Sequence, residues 1–246
     1  MRSRENYTVR TAQWDSTARP PQRAAPAGGS TAAGATRGVR KRQRKRALDE
    51  GTARRPPGSL RIIGGEWRGR RLVIPPESDV RPTPDRVRET LFNWLAARLP
   101  GARCLDLFAG TGCLGLEALS RGAAEACLVE RDPVLADALA AHVQRLGANA
   151  RVTRGDARRF LERAPAEAFD VAFLDPPYSE AIEPWLDALL PRLRPGGVVY
   201  VERPAERGLP AVAGAEWIKR SRAASVEYGL LVVPATEGAG AASPAE

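Results

Sequence analysis

The stretch Cys104-Leu105-Asp106-Leu107-Phe108-Ala109-Gly110-Thr111-Gly112-Cys113-Leu114-Gly115 decides the fold of this 246-residue chain. A β-prone apolar run leads directly into three glycines spaced as G-x-G-x-x-G, and a helical pattern follows. Glycines at this spacing permit a tight turn and a close approach of the backbone to a ligand between a strand and a helix. The stretch therefore predicts the first strand–loop–helix unit of a parallel sheet with a cofactor site.

Strand and helix patterns alternate on the carboxyl side of this stretch, which is typical of a parallel sheet with crossover helices. We predict strands over 103–108, 125–130, 150–154, 169–174 and 197–202, and helices over 113–121, 133–146, 157–163 and 181–193. Two further β-prone runs, 217–220 and 226–233, predict a final antiparallel hairpin. The whole pattern predicts an α/β fold with a mainly parallel, seven-stranded sheet.

The amino-terminal side of the stretch predicts a small hairpin followed by a helix. Runs 60–63 and 71–74 are β-prone and are separated by glycines, and Thr83-Pro84 predicts a helix start with Thr83 as the N-cap. Apolar residues then recur at helical spacing and predict one buried face, made of Val87, Leu91, Trp94, Leu95 and Leu99. The charged residues Arg86, Arg88 and Glu89 are expected to lie away from that face.

Two carboxylates beside the glycine loop indicate which cofactor it holds. Glu130 ends the second strand of the unit, 20 residues after Gly110, where a carboxylate can accept ribose hydroxyls. Asp106 precedes Gly110 by four residues, and a carboxylate there would repel a pyrophosphate. It would attract the amino group and sulfonium of S-adenosylmethionine, although an aspartate at this position can also only cap the loop.

Asp156 follows the third strand and is expected at the same edge of the sheet. Its carboxylate can accept a hydrogen bond from an adenine amine or N-cap the next helix, and the two roles are compatible. The predicted cofactor-binding residues are Asp106, Phe108, Gly110, Gly112, Glu130, Asp156 and Ala157.

A second motif, Asp175-Pro176-Pro177-Tyr178, follows the predicted strand 169–174 at the edge that lines the ligand crevice. Consecutive prolines fix φ and remove two backbone donors, so that nearby carbonyls are left to accept from a ligand. The Asp175 carboxylate and the Pro176 carbonyl can accept from the two N–H groups of an exocyclic base amine, and Tyr178 can stack on the base. The motif predicts in-line methyl transfer helped by positioning and electrostatics; a simple turn is the alternative.

Charge is distributed unevenly along the chain. Residues 1–58 carry 14 Lys and Arg against 4 Asp and Glu, whereas residues 59–246 carry 24 against 25. The first segment has almost no large aliphatic side chains, so we expect a disordered basic tail. Its run Arg40-Lys41-Arg42-Gln43-Arg44-Lys45-Arg46 indicates an arm that seeks phosphates, or else a solvated tail without a role.

Cysteine and histidine usage argues against a metal centre. The three cysteines have no C-x-x-C spacing, and His142 is the single histidine, so we expect no zinc site and no disulfide framework. The sequence shows neither a run of 18 apolar residues nor an apolar signal segment at its start. We therefore expect a cytoplasmic protein without a membrane segment.

The motifs together resemble a bacterial 16S rRNA guanine-N2 methyltransferase family, the RsmD type, over residues 60–233. The resemblance rests on the residues of 61–69 (Arg-Ile-Ile-Gly-Gly-x-Trp-Arg-Gly), 81–95, 106–118, 120–123 and 175–178. The segment 81–95 is the most specific part, because many methyltransferases share the glycine loop and Asp-Pro-Pro-Tyr.

This resemblance implies a Rossmann-like class I methyltransferase fold, which we assign to residues 59–235, and S-adenosylmethionine as the methyl donor. The remaining residues, 236–246, are expected to form a loose end. The resemblance implies Asp175 and its prolines as the group that holds a guanine in 16S rRNA of the small ribosomal subunit, with the protein acting as a monomer. It also implies candidates for contacting RNA or closing the site, although each arginine can instead be ordinary surface charge: Trp67, Arg68, Arg81, Arg86 and Arg88.

Three other functions remain open. Related motifs serve adenine N6 in DNA and glutamine amides in proteins, but the chain has no large target-recognition domain, and Asp175 stands where glutamine methylation usually has Asn. A non-catalytic RNA-binding or ribosome-assembly factor with this fold would not need the intact glycine loop. A dehydrogenase is disfavoured by Asp106.

Overall fold

The computed structural model describes residues 58–76 and 83–235. The amino-terminal part holds β1 (Gly58–Arg61), β2 (Arg71–Ile74) and α1 (Asp85–Trp94). The main body follows with β3 (Arg103–Asp106), α2 (Gly115–Ser120), β4 (Glu125–Glu130), α3 (Pro133–Leu146), β5 (Ala150–Arg154), α4 (Ala157–Arg163), β6 (Phe169–Leu174), α5 (Glu183–Leu189), β7 (Leu193–Pro204), β8 (Glu216–Ala223) and β9 (Val226–Val232). Apart from Gly58, the predicted basic tail lies outside the described residues, as do Arg81 and the predicted loose end 236–246.

Seven strands form one sheet in the order β5-β4-β3-β6-β7-β9-β8. Strands β3 to β7 run parallel, whereas β9 lies antiparallel between β7 and β8. The strand order reverses at β3 and β6, and open α/β sheets bind ligands at such a reversal, beyond the carboxyl ends of the strands. The predicted α/β sheet with its final antiparallel hairpin is confirmed, and it brings the ends of β3 and β6 side by side.

Five elements of the main body have the predicted bounds, four differ at an end by one to three residues, and two differ informatively. Strands β4, β5 and β6 and helices α3 and α4 agree with the prediction. The helix predicted over 181–193 instead ends at Leu189 and continues as a 3₁₀ turn, Leu190–Arg192, which contains a proline without an amide donor. Strand β7 is longer than predicted, because it pairs with β6 from Leu193 and with β9 as far as Pro204.

The predicted amino-terminal hairpin is present as an antiparallel pair, β1 with β2, separate from the main sheet. The loop between its strands binds to the end of α2. The amides of Ile63 and Gly64 each donate to the Glu117 carboxylate at 2.8 Å. The Ser120 hydroxyl accepts from the Trp67 amide and donates to the Gly64 carbonyl. We call Glu117 and Ser120 the α2 anchor.

Helix α1 buries the predicted apolar face but begins one residue later than predicted. Val87 and Leu91 on the helix and Leu95 and Leu99 after its end are buried, whereas Trp94 is half-buried against the core. Pro84 is the N-cap residue and the helix has no capping bond from a side chain, so the prediction of Thr83 as the N-cap is wrong. The Thr83 hydroxyl is buried and has no hydrogen-bond partner among the described residues, so it does not cap the helix.

The prediction that Arg88 lies away from the buried face of α1 is wrong, because its side chain is 0% exposed. Its guanidinium donates to the carbonyls of Thr83 and Arg61 and to the Asp85 carboxylate, and it lies 3.7 Å from Glu117. A buried guanidinium requires such partners. Arg88 therefore joins the start of α1 to the hairpin and to the α2 anchor.

Two further properties concern the part of the chain that the structure describes. Within residues 58–76 and 83–235, no three His, Cys, Asp or Glu side chains are grouped so that they could hold a metal ion. No helix in the same ranges is sufficiently long and apolar to cross a membrane.

Candidate active site

The glycine loop follows β3 and wraps around the Asp106 carboxylate. The Gly115 amide donates to Asp106 Oδ2 at 2.9 Å, so the aspartate holds the loop as well as facing it. The side chain is buried. Burial raises the pKa of Asp106 to about 7; the Gly115 hydrogen bond opposes this shift, and the Glu130 carboxylate adds to it. A bound cation would replace the lost hydration of this carboxylate.

The glycines of the loop are required for steric reasons. Gly110 and Gly112 have φ of 52° and 79°, in the region that favours glycine. A Cβ on Gly112 would overlap the Leu139 side chain of α3, and a Cβ on Gly115 would overlap the Leu128 side chain of β4. The loop backbone is therefore held close to α3 and β4 at the edge of the sheet.

The Glu130 carboxylate lies at the end of β4 and holds backbone amides on both sides. Its Oε2 accepts from the Gly110 amide at 2.7 Å, and its Oε1 accepts from the Asp132 amide at 2.8 Å. A carboxylate has about four acceptor positions, so each oxygen can still accept one hydroxyl. Among the described residues the buried Thr111 hydroxyl of the loop has no hydrogen-bond partner. These two carboxylate acceptors, Asp106 and Glu130, together with the Thr111 hydroxyl fit the amino-acid and ribose parts of S-adenosylmethionine.

Asp156 and Phe108 are positioned by contacts with neighbouring helices. Asp156 is the N-cap of α4, since its Oδ1 accepts from the Arg159 amide at 3.0 Å, and its side chain remains exposed. Ala157 behind it is buried. The Phe108 ring meets the Trp185 ring edge-on, with 5.0 Å between the ring centroids. The capping role considered for Asp156 is present, and it leaves the second carboxylate oxygen for a ligand.

The Asp-Pro-Pro-Tyr motif emerges directly from β6. Asp175 is half-buried, Pro176 is buried, and Tyr178 is 50% exposed. Burial raises the pKa of Asp175 well above its ordinary value, and the carboxylates of Glu202 and Asp106 raise it further. The structure thus brings Asp106, which ends β3, close enough to Asp175, which follows β6, for their charges to interact, as the strand order predicts.

Sequence reasoning missed Glu202 and Tyr200, which lie on β7 beside the motif. The Tyr200 hydroxyl donates to Glu202 Oε2 at 2.7 Å, and the Tyr178 hydroxyl donates to Glu202 Oε1 at 3.5 Å. Both residues are buried. Glu202 shares a cleft with Pro176, Pro177 and Tyr178. The available signal was a glutamate ending an apolar strand next to the one that carries Asp175.

The predicted RNA-contacting residues do not share one environment. Arg68 and Arg86 are exposed. Trp67 is 7% exposed, and Arg88 is completely buried. The structure thus places these two side chains inside the protein, where they offer little to an RNA surface. Both support the attachment of the hairpin to α2 and α1.

The sheet order, with β9 antiparallel between β7 and β8, together with a glycine loop and an Asp-Pro-Pro-Tyr motif at the point of strand reversal, defines the chain as a class I S-adenosylmethionine-dependent methyltransferase. A family model described as Conserved hypothetical protein 95 matches residues 60–231. The chain belongs to this family, and its resemblance to the RsmD type is confirmed.

Relatives of known name agree with this assignment. The chain is 46% identical over 167 residues to "Ribosomal RNA small subunit methyltransferase D" of Escherichia coli strain K12, covering 65% of this chain and 82% of that protein. The protein of the same name from Haemophilus influenzae is 38% identical over 182 residues, covering 70% and 93%.

Solved structures agree as well. A protein of Escherichia coli described as a candidate methyltransferase has a TM-score of 0.66 and 42% identity, covering 72% of this chain and 99% of its own. A protein of Haemophilus influenzae described as a candidate methylase has a TM-score of 0.61 and 35% identity with the same coverage.

Proposed function

We propose that this chain transfers a methyl group from S-adenosylmethionine to the exocyclic N2 of a guanine in 16S rRNA of the small ribosomal subunit. One observation carries the proposal: Asp175 and its prolines follow β6, directly beside the glycine loop of β3. The names of the relatives support a ribosomal RNA of the small subunit as the substrate. The proposal assigns the catalytic domain to residues 59–235.

The acceptor chemistry explains why this motif suits a base amine. An exocyclic amine of guanine is a weak nucleophile, because its lone pair is delocalised into the ring. Two acceptors that hold its two N–H groups favour a tetrahedral nitrogen whose lone pair faces the methyl donor. In our proposal the Asp175 carboxylate and the Pro176 carbonyl are these acceptors. The half-exposed Tyr178 ring supplies a stacking surface, with Pro177 holding the turn.

S-adenosylmethionine supplies the electrophilic methyl group when it is bound. In the proposed complex Asp106 pairs with the cationic amino-acid end, and Glu130 accepts from the ribose hydroxyls. Gly110 and Gly112 allow the loop backbone to approach, and Asp156 accepts from the adenine amine. Phe108 and Ala157 complete the apolar walls of this site.

The RNA contacts and the cellular setting belong to the same proposal. The exposed Arg68 and Arg86 are the described candidates for phosphate contacts. We propose that the enzyme acts as a monomer. Because the proposed substrate is ribosomal, we propose that the enzyme acts in the cytoplasm. Methylation of adenine N6 or of a protein glutamine is not favoured, since the relatives are named for ribosomal RNA and residue 175 is Asp rather than Asn.

A labelling assay tests the proposal. The protein is incubated with tritiated S-adenosylmethionine and small ribosomal subunits from a strain that lacks the native enzyme, and the digested nucleosides are then identified. Label in N2-methylguanosine is expected. Label in protein or in DNA, or no label with active cofactor binding, would contradict the proposal.

Replacing Asp175 by alanine tests the role of the motif. Asp175→Ala is expected to abolish transfer, because one of the two amine acceptors is lost, while cofactor affinity stays within a few-fold. Asp137→Ala, on the exposed side of α3, is the matched control and should transfer normally. If cofactor affinity collapses together with transfer in Asp175→Ala, the residue is structural rather than catalytic.

A further inference from the structure

Glu202 lies level with Asp175 at the carboxyl edge of the sheet. Strand β7 runs parallel to β6, and Val201 pairs with Leu174, so the next residue on each strand is a carboxylate. Glu202 is 4% exposed. Two acidic residues therefore stand next to each other at the ends of neighbouring strands. The Glu202 charge acts on Asp175, and Glu202 itself lines the cleft that also contains Tyr178.

Neither carboxylate of this pair has a cationic partner among the described residues. Among the ion pairs formed within residues 58–76 and 83–235, none includes Asp175 or Glu202. Arg203 also lines the cleft, but its guanidinium pairs with Glu183 on α5. Burial raises the pKa of both Asp175 and Glu202. Such a pair is unfavourable in the free protein and would be stabilised by a ligand that brings N–H donors.

Tyr200 fixes where the acceptor atoms of Glu202 lie. Its buried hydroxyl holds Oε2 at 2.7 Å, whereas the contact of the Tyr178 hydroxyl with Oε1 is long at 3.5 Å. Oε1 is thus weakly bound and lies beside the half-exposed ring that we assign to base stacking. A base that stacks on Tyr178 would have its edge close to this oxygen.

We propose that Glu202 accepts the N1–H of the target guanine and thereby selects guanine, an inference that rests on the proposed function. Guanine presents N1–H and the N2 amine side by side on one edge, which matches two adjacent carboxylates. In adenine and in cytosine the ring nitrogen next to the exocyclic amine carries no proton. That nitrogen is a hydrogen-bond acceptor, so it cannot donate to the Glu202 carboxylate. Tyr200 is the positioning residue that orients Glu202.

A base analogue separates this role from a merely structural one. 2-Aminopurine keeps the exocyclic N2 amine but has no proton on N1. After wild-type enzyme has been used to map the methylated guanine, small subunits are reconstituted with RNA that carries either base at that position. Wild type should prefer guanine over 2-aminopurine by roughly 10- to 100-fold in kcat/KM, the range for one lost specific contact to a base.

Glu202→Gln should reduce this preference to within a few-fold. Its amide can rotate to accept from the N1–H of guanine or to donate to the bare N1 of 2-aminopurine, so the two substrates become similar. Glu206→Gln, at an exposed position outside the cleft, is the matched control and should keep the wild-type preference. Tyr200→Phe, which removes the hydroxyl that holds Glu202, should lower the preference in part and provides a second test if Glu202→Gln does not fold.

The outcomes distinguish this inference from the proposed function. A wild type that methylates guanine and 2-aminopurine equally overturns the role of Glu202 and leaves the proposed function standing. An unchanged preference in folded Glu202→Gln, or in Tyr200→Phe if that variant alone folds, overturns it as well. A wild type that labels no guanine removes the proposed function, and the inference falls with it.

Discussion

At the scale of single residues, Asp106 is stabilised by one contact and destabilised by its burial in the free protein. It holds the glycine loop through the Gly115 amide, and it is buried where its negative charge loses hydration. Burial raises its pKa to about 7. The folded protein therefore keeps a proton on Asp106 at pH values where the unfolded chain, with an ordinary carboxyl pKa, has already lost it.

This difference predicts that Asp106→Asn stabilises the free protein at alkaline pH. Because the pKa is higher in the folded state, the contribution of Asp106 to stability falls as pH rises from about 4 through about 7. The loss is on the order of 4 kcal/mol at 1.36 kcal/mol per pKa unit. Asparagine has no proton to lose and can still accept from Gly115, so the variant should lack this part of the slope.

Urea unfolding of wild type and Asp106→Asn at pH 5 and pH 8 measures the effect. The variant is expected to gain stability relative to wild type between these two pH values, yet to bind S-adenosylmethionine more weakly, because it no longer carries the charge that pairs with a cation. Asp137→Asn, exposed on α3, should follow the wild-type slope. Identical slopes for Asp106→Asn and wild type would show that Asp106 is ionised in the free protein.

At the scale of secondary-structure elements, the hairpin depends on helix α2 for its stability. A two-stranded sheet is marginal by itself in water. Here Glu117 of the α2 anchor accepts hydrogen bonds from two amides of the hairpin loop. Ser120 accepts from a third amide of the loop and donates to one of its carbonyls. The Glu66 amide also donates to the Ser120 carbonyl at 2.7 Å.

Two glycines in this loop offer a matched comparison. Gly65 and Gly69 both have positive φ, 76° and 83°. A Cβ on Gly65 would overlap the Ser120 carbonyl oxygen, whereas a Cβ on Gly69 would meet nothing within 4 Å. Gly69→Ala should lose about 1 to 2 kcal/mol of unfolding free energy from backbone strain alone. Gly65→Ala should lose more than that, because the hairpin must also move away from α2.

The two variants are compared by urea unfolding at one pH. Thermolysin cleavage under native conditions adds a local readout, since a displaced hairpin should be cut faster in Gly65→Ala than in Gly69→Ala. Equal losses of unfolding free energy in the two variants would show that the close approach of Gly65 to Ser120 does not contribute to the stability of the protein.

Elements that depend on local pattern could be predicted from the sequence, and partners distant in sequence could not. Strands β4 and β6 have apolar runs at their centres, and α3 has Asp132 as its N-cap and Gly147 at its end, so their bounds are encoded locally. In the sequence Arg88 resembles an ordinary surface arginine, because its partners Glu117 and the Arg61 carbonyl are distant along the chain. The role that we propose for Glu202 likewise could not be predicted locally, because it depends on Asp175 at the end of the neighbouring strand.

At the scale of the whole molecule, the net positive charge lies in residues 1–58, outside the catalytic part. Residues 1–58 hold 14 of the 38 Lys and Arg, and residues 59–246 have 24 basic against 25 acidic side chains. Within residues 61–88 there are still 7 arginines against 4 acids. A nearly neutral catalytic part attracts phosphates only locally, so the run Arg40–Arg46 remains the strongest candidate in the sequence for general attraction to RNA.

Removal of residues 1–55 tests this attraction and should weaken RNA affinity mainly at low salt. Each phosphate that the arm neutralises releases counterions, so the slope of log affinity against log salt should become less steep by about 0.7 to 0.9 per lost contact. Affinities of the full and shortened chains should converge as salt increases. A full-length variant with glutamine at the six cations of Arg40–Arg46 is the matched control for charge and should reproduce much of the change. Filter binding to small-subunit RNA across a salt series gives the slopes, and unchanged slopes in both variants would leave the arm without a role in binding RNA.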